Sequence, residues 1–174
     1  MRIVVQKFGG TSVADAQVRQ HAVARVISAL EMGYTPVVVV SAMGKAGQPY
    51  ATDSLLELVH EVNPEPNRRN VDLLLSCGEI ISAVIFAEQL SIAGHPAEAL
   101  TGWQCGILTD AAFTQARIQE VNPERVLALL EQGIIPVVAG FQGISASQEI
   151  TTLGRGGSDT TAAALGVVLK AEWV

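Results

Sequence analysis

Two segments of this chain share one pattern. "ALEMGYTPVVVVSAMG" and "LLEQGIIPVVAGFQG" both read E-x-G-x-x-P-V-V, with Glu31 in the first and Glu131 in the second. Each describes a helix that stops at a glycine, then a proline, then an apolar β-branched run that ends at a glycine loop. Continuous Val/Ile runs belong to strands buried on both faces, and strands alternating with helices form parallel sheets. The pattern therefore predicts an α/β fold, a three-layer αβα sandwich with a mainly parallel sheet. Ligands of such sheets bind beyond the carboxyl ends of the strands.

The remaining segments fit that frame. Residues 3–6 read as a buried strand, followed by a helix in "DAQVRQHAVARVISALEMG" with Val18, Ala22, Val26, Ile27 and Leu30 on one face. "TDSLLELVHEV" carries a capping residue and helical spacing, and residues 70–94 form a long helix, apolar on most sides. Short strands are expected at 97–100 and 117–121, and a hairpin in "SQEITTLG". Asn122 caps a helix whose first residue is Pro123. "GGSDTTAAALGVVLKA" is a helix with hydroxyl and carboxylate groups at its start, and Glu172–Val174 opens a further strand.

Composition narrows the class. The 174 residues suit a single domain, and 49% hydrophobic with 16% charged residues argues against disorder. With aromatics at only 5%, aliphatic side chains must fill the interior. A net charge of −6 argues against nucleic-acid partners, which need a basic face. Cys77 and Cys105 lack metal-ligand spacing and read as packed, reduced thiols of a cytoplasmic protein. Ile3-Val4-Val5 is too short for a signal peptide. In the apolar run 71–87, Asp72 and Glu79 would each cost about 2.5–3.5 kcal/mol at a bilayer centre, so no membrane span is expected.

The chemistry concentrates in four loops: Lys7–Ser12, Ser41–Asp53, Gly140–Gly143 and Gly154–Asp159. The chain has only three lysines, and Lys7 stands where the first strand breaks into Gly9-Gly10. Those glycines let backbone N–H groups approach an anion, and Lys7 adds a point charge worth roughly 4 kcal/mol at about 4 Å, before desolvation. "GRGGSDTT" repeats the logic at a helix start, where Arg155 can fork onto a carboxylate or phosphate. Asp159 could orient Lys7, hold a magnesium ion or cap the helix. Glu79 faces apolar neighbours in "LLLSCGEIISAVIF" and, if buried, needs a ligand ammonium or a protein Lys/Arg partner. Thr52-Asp53 has the form of an N-cap. No P-loop, complete G-x-G-x-x-G or G-x-S-x-G is present, and His21, His60 and His95 have no metal spacing.

Taken together and in order, "KFGGTSV", "VSAMG" with "TDSLLEL", "SCGEIISA" and "GRGGSDTTA" resemble the aspartate kinases of the amino-acid kinase family. The resemblance runs nearly end to end. It implies ATP-dependent phosphorylation of L-aspartate to 4-phospho-L-aspartate, the opening step toward lysine, threonine and methionine, with ATP and Mg2+ required and no protein metal ligand assigned. By carry-over, Lys7, Phe8, Gly9, Gly10 and Ser41 contact the nucleotide phosphates. Thr52, Glu79, Arg155, Gly156 and Ser158 contact the amino acid, with Glu79 on its ammonium and Arg155 on its α-carboxylate. Asp159 organises Lys7.

Family members also carry an adenosine-gripping segment and ACT regulatory domains, which residues 1–174 do not contain. The sequence thus reads as the substrate-binding part of a kinase domain, with low activity alone and an apolar sheet edge that favours homo-oligomers. Two alternatives stay open: a non-catalytic module that binds aspartate or another anion, and a same-fold kinase for a different carboxylate such as N-acetylglutamate. Glu79 weighs against the latter, because an acetylated amine offers no charge to pair.

Overall fold

The proline-led β-branched runs form the centre of a parallel sheet. A computed structural model describes all residues, Met1–Val174. Strands β1 (Ile3–Phe8), β2 (Thr35–Val40), β3 (Ala97–Leu100) and β6 (Ile135–Ala139) make a four-stranded sheet in the order β1-β2-β6-β3. Every pairing in it is parallel. In β2, Val38 and Val40 point to one face and Val37 and Val39 to the other, the period-2 alternation of a strand. Helices α1 (Ala16–Glu31) and α3 (Arg68–Ile92) cover the first face, and α4 (Glu124–Glu131) and α5 (Gly157–Val168) the second. This is the sandwich expected from sequence.

A second sheet was not expected. Strands β4 (Ile107–Thr109), β5 (Ile118–Val121), β7 (Gln142–Ser145) and β8 (Ile150–Thr152) line up as β5-β4-β7-β8. The β4–β7 pair is parallel and the other two pairs are antiparallel, with β7–β8 as the anticipated hairpin. Helix α3 packs against β3 and β6 of the first sheet and β8 of the second, so it bridges the two. Its length and hydropathy would suit a membrane. Here, however, its inner side is sheathed by strands and buries both Asp72 and Glu79.

Several local expectations need correcting. Helix α1 buries Ala22, Val23, Val26 and Ala29, a stripe rotated slightly from the one read off the sequence; its cap is Asp15, whose carboxylate accepts the Gln17 and Val18 N–H groups. Thr52 does not cap α2 (Thr52–Val62): Ala51 holds that position without a side-chain bond, and Thr52 lies inside the first turn. Helix α4 begins at Glu124, one residue later than expected, although the Asn122 side chain does accept the Glu124 N–H at 3.1 Å. No side chain caps α5 either, because Gly156 stands there at φ +78°. Cys105 is buried, but Cys77 is exposed, and both are free thiols.

Residues 172–174 run beside β1. Val4 and Trp173 form a parallel bridge, the Val5 N–H donates to the Trp173 carbonyl at 3.0 Å, and the Glu172 N–H donates to Ile3 at 2.8 Å. The Trp173 and Val174 side chains stay largely exposed.

Candidate active site

The carboxyl ends of the parallel strands deliver three groups to one place. Lys7 is the penultimate residue of β1, Ser41 follows β2, and Phe141 lies just past β6. Glu79 comes from the middle of α3, and the loop Gly154–Asp159 closes the ring. Together they line a cavity of about 260 Å³. Of the residues singled out in the sequence, Lys7, Ser41, Glu79, Arg155, Gly156, Ser158 and Asp159 meet there.

The Lys7 ammonium is 2.9 Å from the Asp159 carboxylate. Asp159 therefore pairs with the lysine, which is compatible with one of the three roles the sequence left open for it. The Asp159 side chain is 70% exposed, so the pair adds at most about 1 kcal/mol to stability and serves mainly to orient. Gly9 sits against this amine: a Cβ there would lie 3.6 Å from Nζ. The amides of Gly9, Gly10 and Ser158 find no acceptor within the chain, which leaves them for an anion.

Gly10 has a further task. A Cβ on it would lie 2.5 Å from the Gly44 carbonyl oxygen and 2.6 Å from that of Ala42. Its bareness lets the first loop cross the second, and the Gly44 N–H donates to the Gly10 carbonyl at 2.9 Å.

Glu79 is only 2% exposed. Its Oε1 accepts the Ala42 N–H at 3.1 Å, while Oε2 has no partner. Burial pushes its carboxyl up to about 8, and the Ala42 N–H offsets part of that. No protein Lys or Arg pairs with it, so the protein partner anticipated for Glu79 is not found. Gly78 makes this placement possible, since a Cβ there would lie 2.9 Å from the Ala42 side chain. Arg155 makes no ion pair; it is exposed on a loop flanked by Gly154 at φ +79° and Gly156 at φ +78°. Ser158 is buried, packed against Gly140.

Four expected residues do not line the cavity: Gly9 and Gly10 lie beside it in the loop after β1, and Phe8 and Thr52 stand apart. The Phe8 ring turns into the core and stacks on Phe86 at 5.4 Å between centroids, so only its backbone faces the loop. Thr52 is half-buried on α2 and does not line the cavity. Conversely, Phe141 lines it and had not been singled out. Its left-handed backbone (φ +69°) is held by its N–H, which donates to Thr161 Oγ1 at 3.1 Å. The only hint was a bulky residue in the glycine-bracketed "GFQG".

The amino acid kinase family model matches residues 2–174. The chain belongs to that family. This amino acid kinase chain is 52% identical over 174 residues to Aspartokinase 1 of Bacillus subtilis (strain 168), a match covering all of this chain and 43% of that protein. Its fold superposes on the aspartate kinase from Synechocystis with a TM-score of 0.81 at 43% identity, covering 99% of this chain and 27% of that one. The E. coli aspartokinase III, solved in complex with aspartate and ADP, gives 0.79 at 25% identity, with 97% of this chain and 47% of that one covered. The chain spans less than half the length of each of these relatives.

Proposed function

We propose that this chain supplies the amino-acid- and phosphoryl-binding part of an aspartate kinase, which converts L-aspartate and ATP to 4-phospho-L-aspartate and ADP. One observation carries the reading. A positive amine held by Asp159, a buried carboxylate oxygen without a partner, and an unpaired guanidinium loop surround a single cavity of amino-acid size.

The substrate's ammonium fits Glu79 Oε2, the one buried carboxylate oxygen left without a partner. Arg155 takes the α-carboxylate, helped by the free Ser158 amide at the start of α5. Thr52 would help only if the first turn of α2 moves toward the bound amino acid. This clamp turns the side-chain carboxylate toward Lys7. One of its oxygens attacks the γ-phosphorus as the bond to the β–γ bridging oxygen breaks, and ADP leaves with that electron pair. No proton has to move, so no general base is required.

The protein's work is to position the reactants and neutralise charge. Lys7 stabilises the transferring group, and the amides of Gly9 and Gly10 receive phosphate oxygens, with Phe8 contributing through its backbone and Ser41 from the next strand. Nowhere do three His, Cys, Asp or Glu side chains gather to hold a metal ion. Asp159 is the one exposed carboxylate at the phosphoryl end, so Mg2+ would come with the nucleotide and touch the protein there at most. Bound so, it would neutralise phosphate charge.

The cavity suits an amino acid and a phosphoryl group, and adenosine needs a grip elsewhere. We therefore assign residues 1–174 to substrate binding, with turnover dependent on parts found in the longer relatives. The reaction would open the route to lysine, threonine and methionine in the cytoplasm.

Calorimetry tests the reading. L-aspartate should bind this chain and N-acetyl-L-glutamate should not, and a coupled ADP-release assay should show little turnover until the chain is extended. Equal binding of the acetylated amino acid would remove Glu79 as the ammonium partner and the aspartate reading with it.

A further inference from the structure

We infer that Asp72, which touches neither substrate nor cavity, is a positioning residue that sets the geometry of the amino-acid clamp. The inference rests on the aspartate-binding reading given above.

Asp72 is completely buried on the inner side of α3. Its two oxygens share the Thr114 N–H, each at 3.0 Å. Oδ2 also accepts the Thr152 N–H at 2.9 Å, and Oδ1 accepts the Thr152 hydroxyl at 2.7 Å. Every partner is a donor, the arrangement that suits an ionised carboxylate. An apolar side chain here would leave the Thr114 and Thr152 N–H groups without their acceptor, so this carboxylate serves the loop and the hairpin as well as its own helix. What this carboxylate does provide is a directional tie across 42 and 80 residues of sequence.

Both ends of that tie lead to the cavity. Asp72 and Glu79 lie seven residues apart on the same buried side of α3, about 10 Å along a rigid helix. Thr152 is the last residue of β8, two before Gly154. Its carbonyl accepts the Ala116 N–H at 2.9 Å, and the next amide, Leu153, donates to Phe141 at 2.8 Å. The root of the Arg155 loop is thus held on both sides, while the left-handed glycines beyond it leave the loop itself adaptable. A second tie runs parallel: Gln142 Nε2 donates to the Ser76 carbonyl at 2.9 Å. Helix α3 and the β7–β8 hairpin consequently move as one body. The distance from the Glu79–Arg155 clamp to the Lys7 amine decides which side-chain length reaches the phosphoryl group, and Asp72 fixes one side of that distance.

The test compares the wild-type chain with Asp72→Asn, which turns one acceptor into a donor facing an N–H, and with Thr152→Val, which deletes only the hydroxyl. Hydrogen exchange without ligand should quicken about tenfold at residues 152–159 in Asp72→Asn and less in Thr152→Val, with residues 79–86 unchanged. Calorimetry should show the preference for L-aspartate over L-glutamate narrowing by about tenfold in Asp72→Asn. A purely structural role would lower the melting temperature without changing that preference. Unchanged exchange at 152–159, or a loss of protection spread evenly through 79–86, would overturn the inference. If the wild-type chain bound neither amino acid, the functional reading would fall, and the exchange result alone would decide the role of Asp72.

Discussion

Replacing Glu79 with glutamine should stabilise the empty protein while destroying its amino-acid site. The carboxyl has an ordinary value of 4.5 and is raised to about 8 by burial in the fold. Between those two values the folded chain holds a proton that the unfolded chain has lost. The stabilisation from this raised value is therefore complete below pH 4.5 and disappears as pH rises through 8. At pH 7, roughly 2.5 pH units into that window, about 3 kcal/mol has gone. Glutamine has no proton to lose. It keeps an oxygen for the Ala42 N–H, and the protonated carboxyl's hydroxyl is as unpaired as the amide would be. The variant should therefore be roughly 3 kcal/mol more stable at pH 7, with the gap widening by about 1.4 kcal/mol per pH unit from pH 5 to 8. Urea unfolding across that range reads the gap directly.

Binding carries the complementary signature. About nine-tenths of Glu79 is protonated at pH 7 when its value is near 8. Pairing with an ammonium requires the carboxylate, so L-aspartate should expel close to one proton per molecule bound. Affinity should rise about tenfold per pH unit up to pH 8 and then level off. Titrations in buffers of different ionisation heat measure the proton count. A stability gap that does not vary with pH, or binding with no proton release, would refute the reasoning.

Lys7→Met should cut kcat by about 10²–10³-fold in a catalytically competent chain containing these residues, while changing unfolding stability by less than about 1 kcal/mol; an unchanged kcat in the ADP-release assay would remove Lys7 from the transfer step. Gly10→Ala should destabilise by about 1–3 kcal/mol, because its Cβ meets two backbone carbonyls, whereas Gly9→Ala should fold normally. Thermal melts of the two variants make that comparison, and equal melting temperatures would contradict the crossing of the loops. A thiol reagent should titrate one cysteine in the native chain and two after denaturation, since Cys77 is exposed and burial pushes Cys105 up to about 12.

What could be read in advance followed the range of the interactions. The proline-led runs around Val37–Val40 and Pro136–Val138 declare themselves because a strand buried on both faces has to be apolar throughout. The three-residue β4 shows no period, and its pairing with β7 is a long-range event that local sequence does not encode. Lys7, Glu79 and Arg155 stood out because each is a charged group in a place where charge is costly or rare. Phe141 acts through a backbone angle, Ala42 through an N–H, and Asp72 through a distant hairpin, so none carries a local mark of its task. Thr52 and Asn122 show the opposite error: residues with the right shape for a cap, displaced by one position when the helices settle. Cys77 was misjudged because α3, apolar on nearly every side, gives no clue to which side the sheets will cover.

The hydrogen bonds between residues 3–5 and 172–173 join opposite ends of the described chain. In vectorial synthesis β1 can pair with β2 early, yet its outer side must wait until some 170 further residues have been made. The same delay governs the pocket, because Asp159 emerges some 150 residues after the lysine it holds. Ligand affinity in such a molecule is thus a late marker of maturation, acquired only when the slow, non-local contacts close.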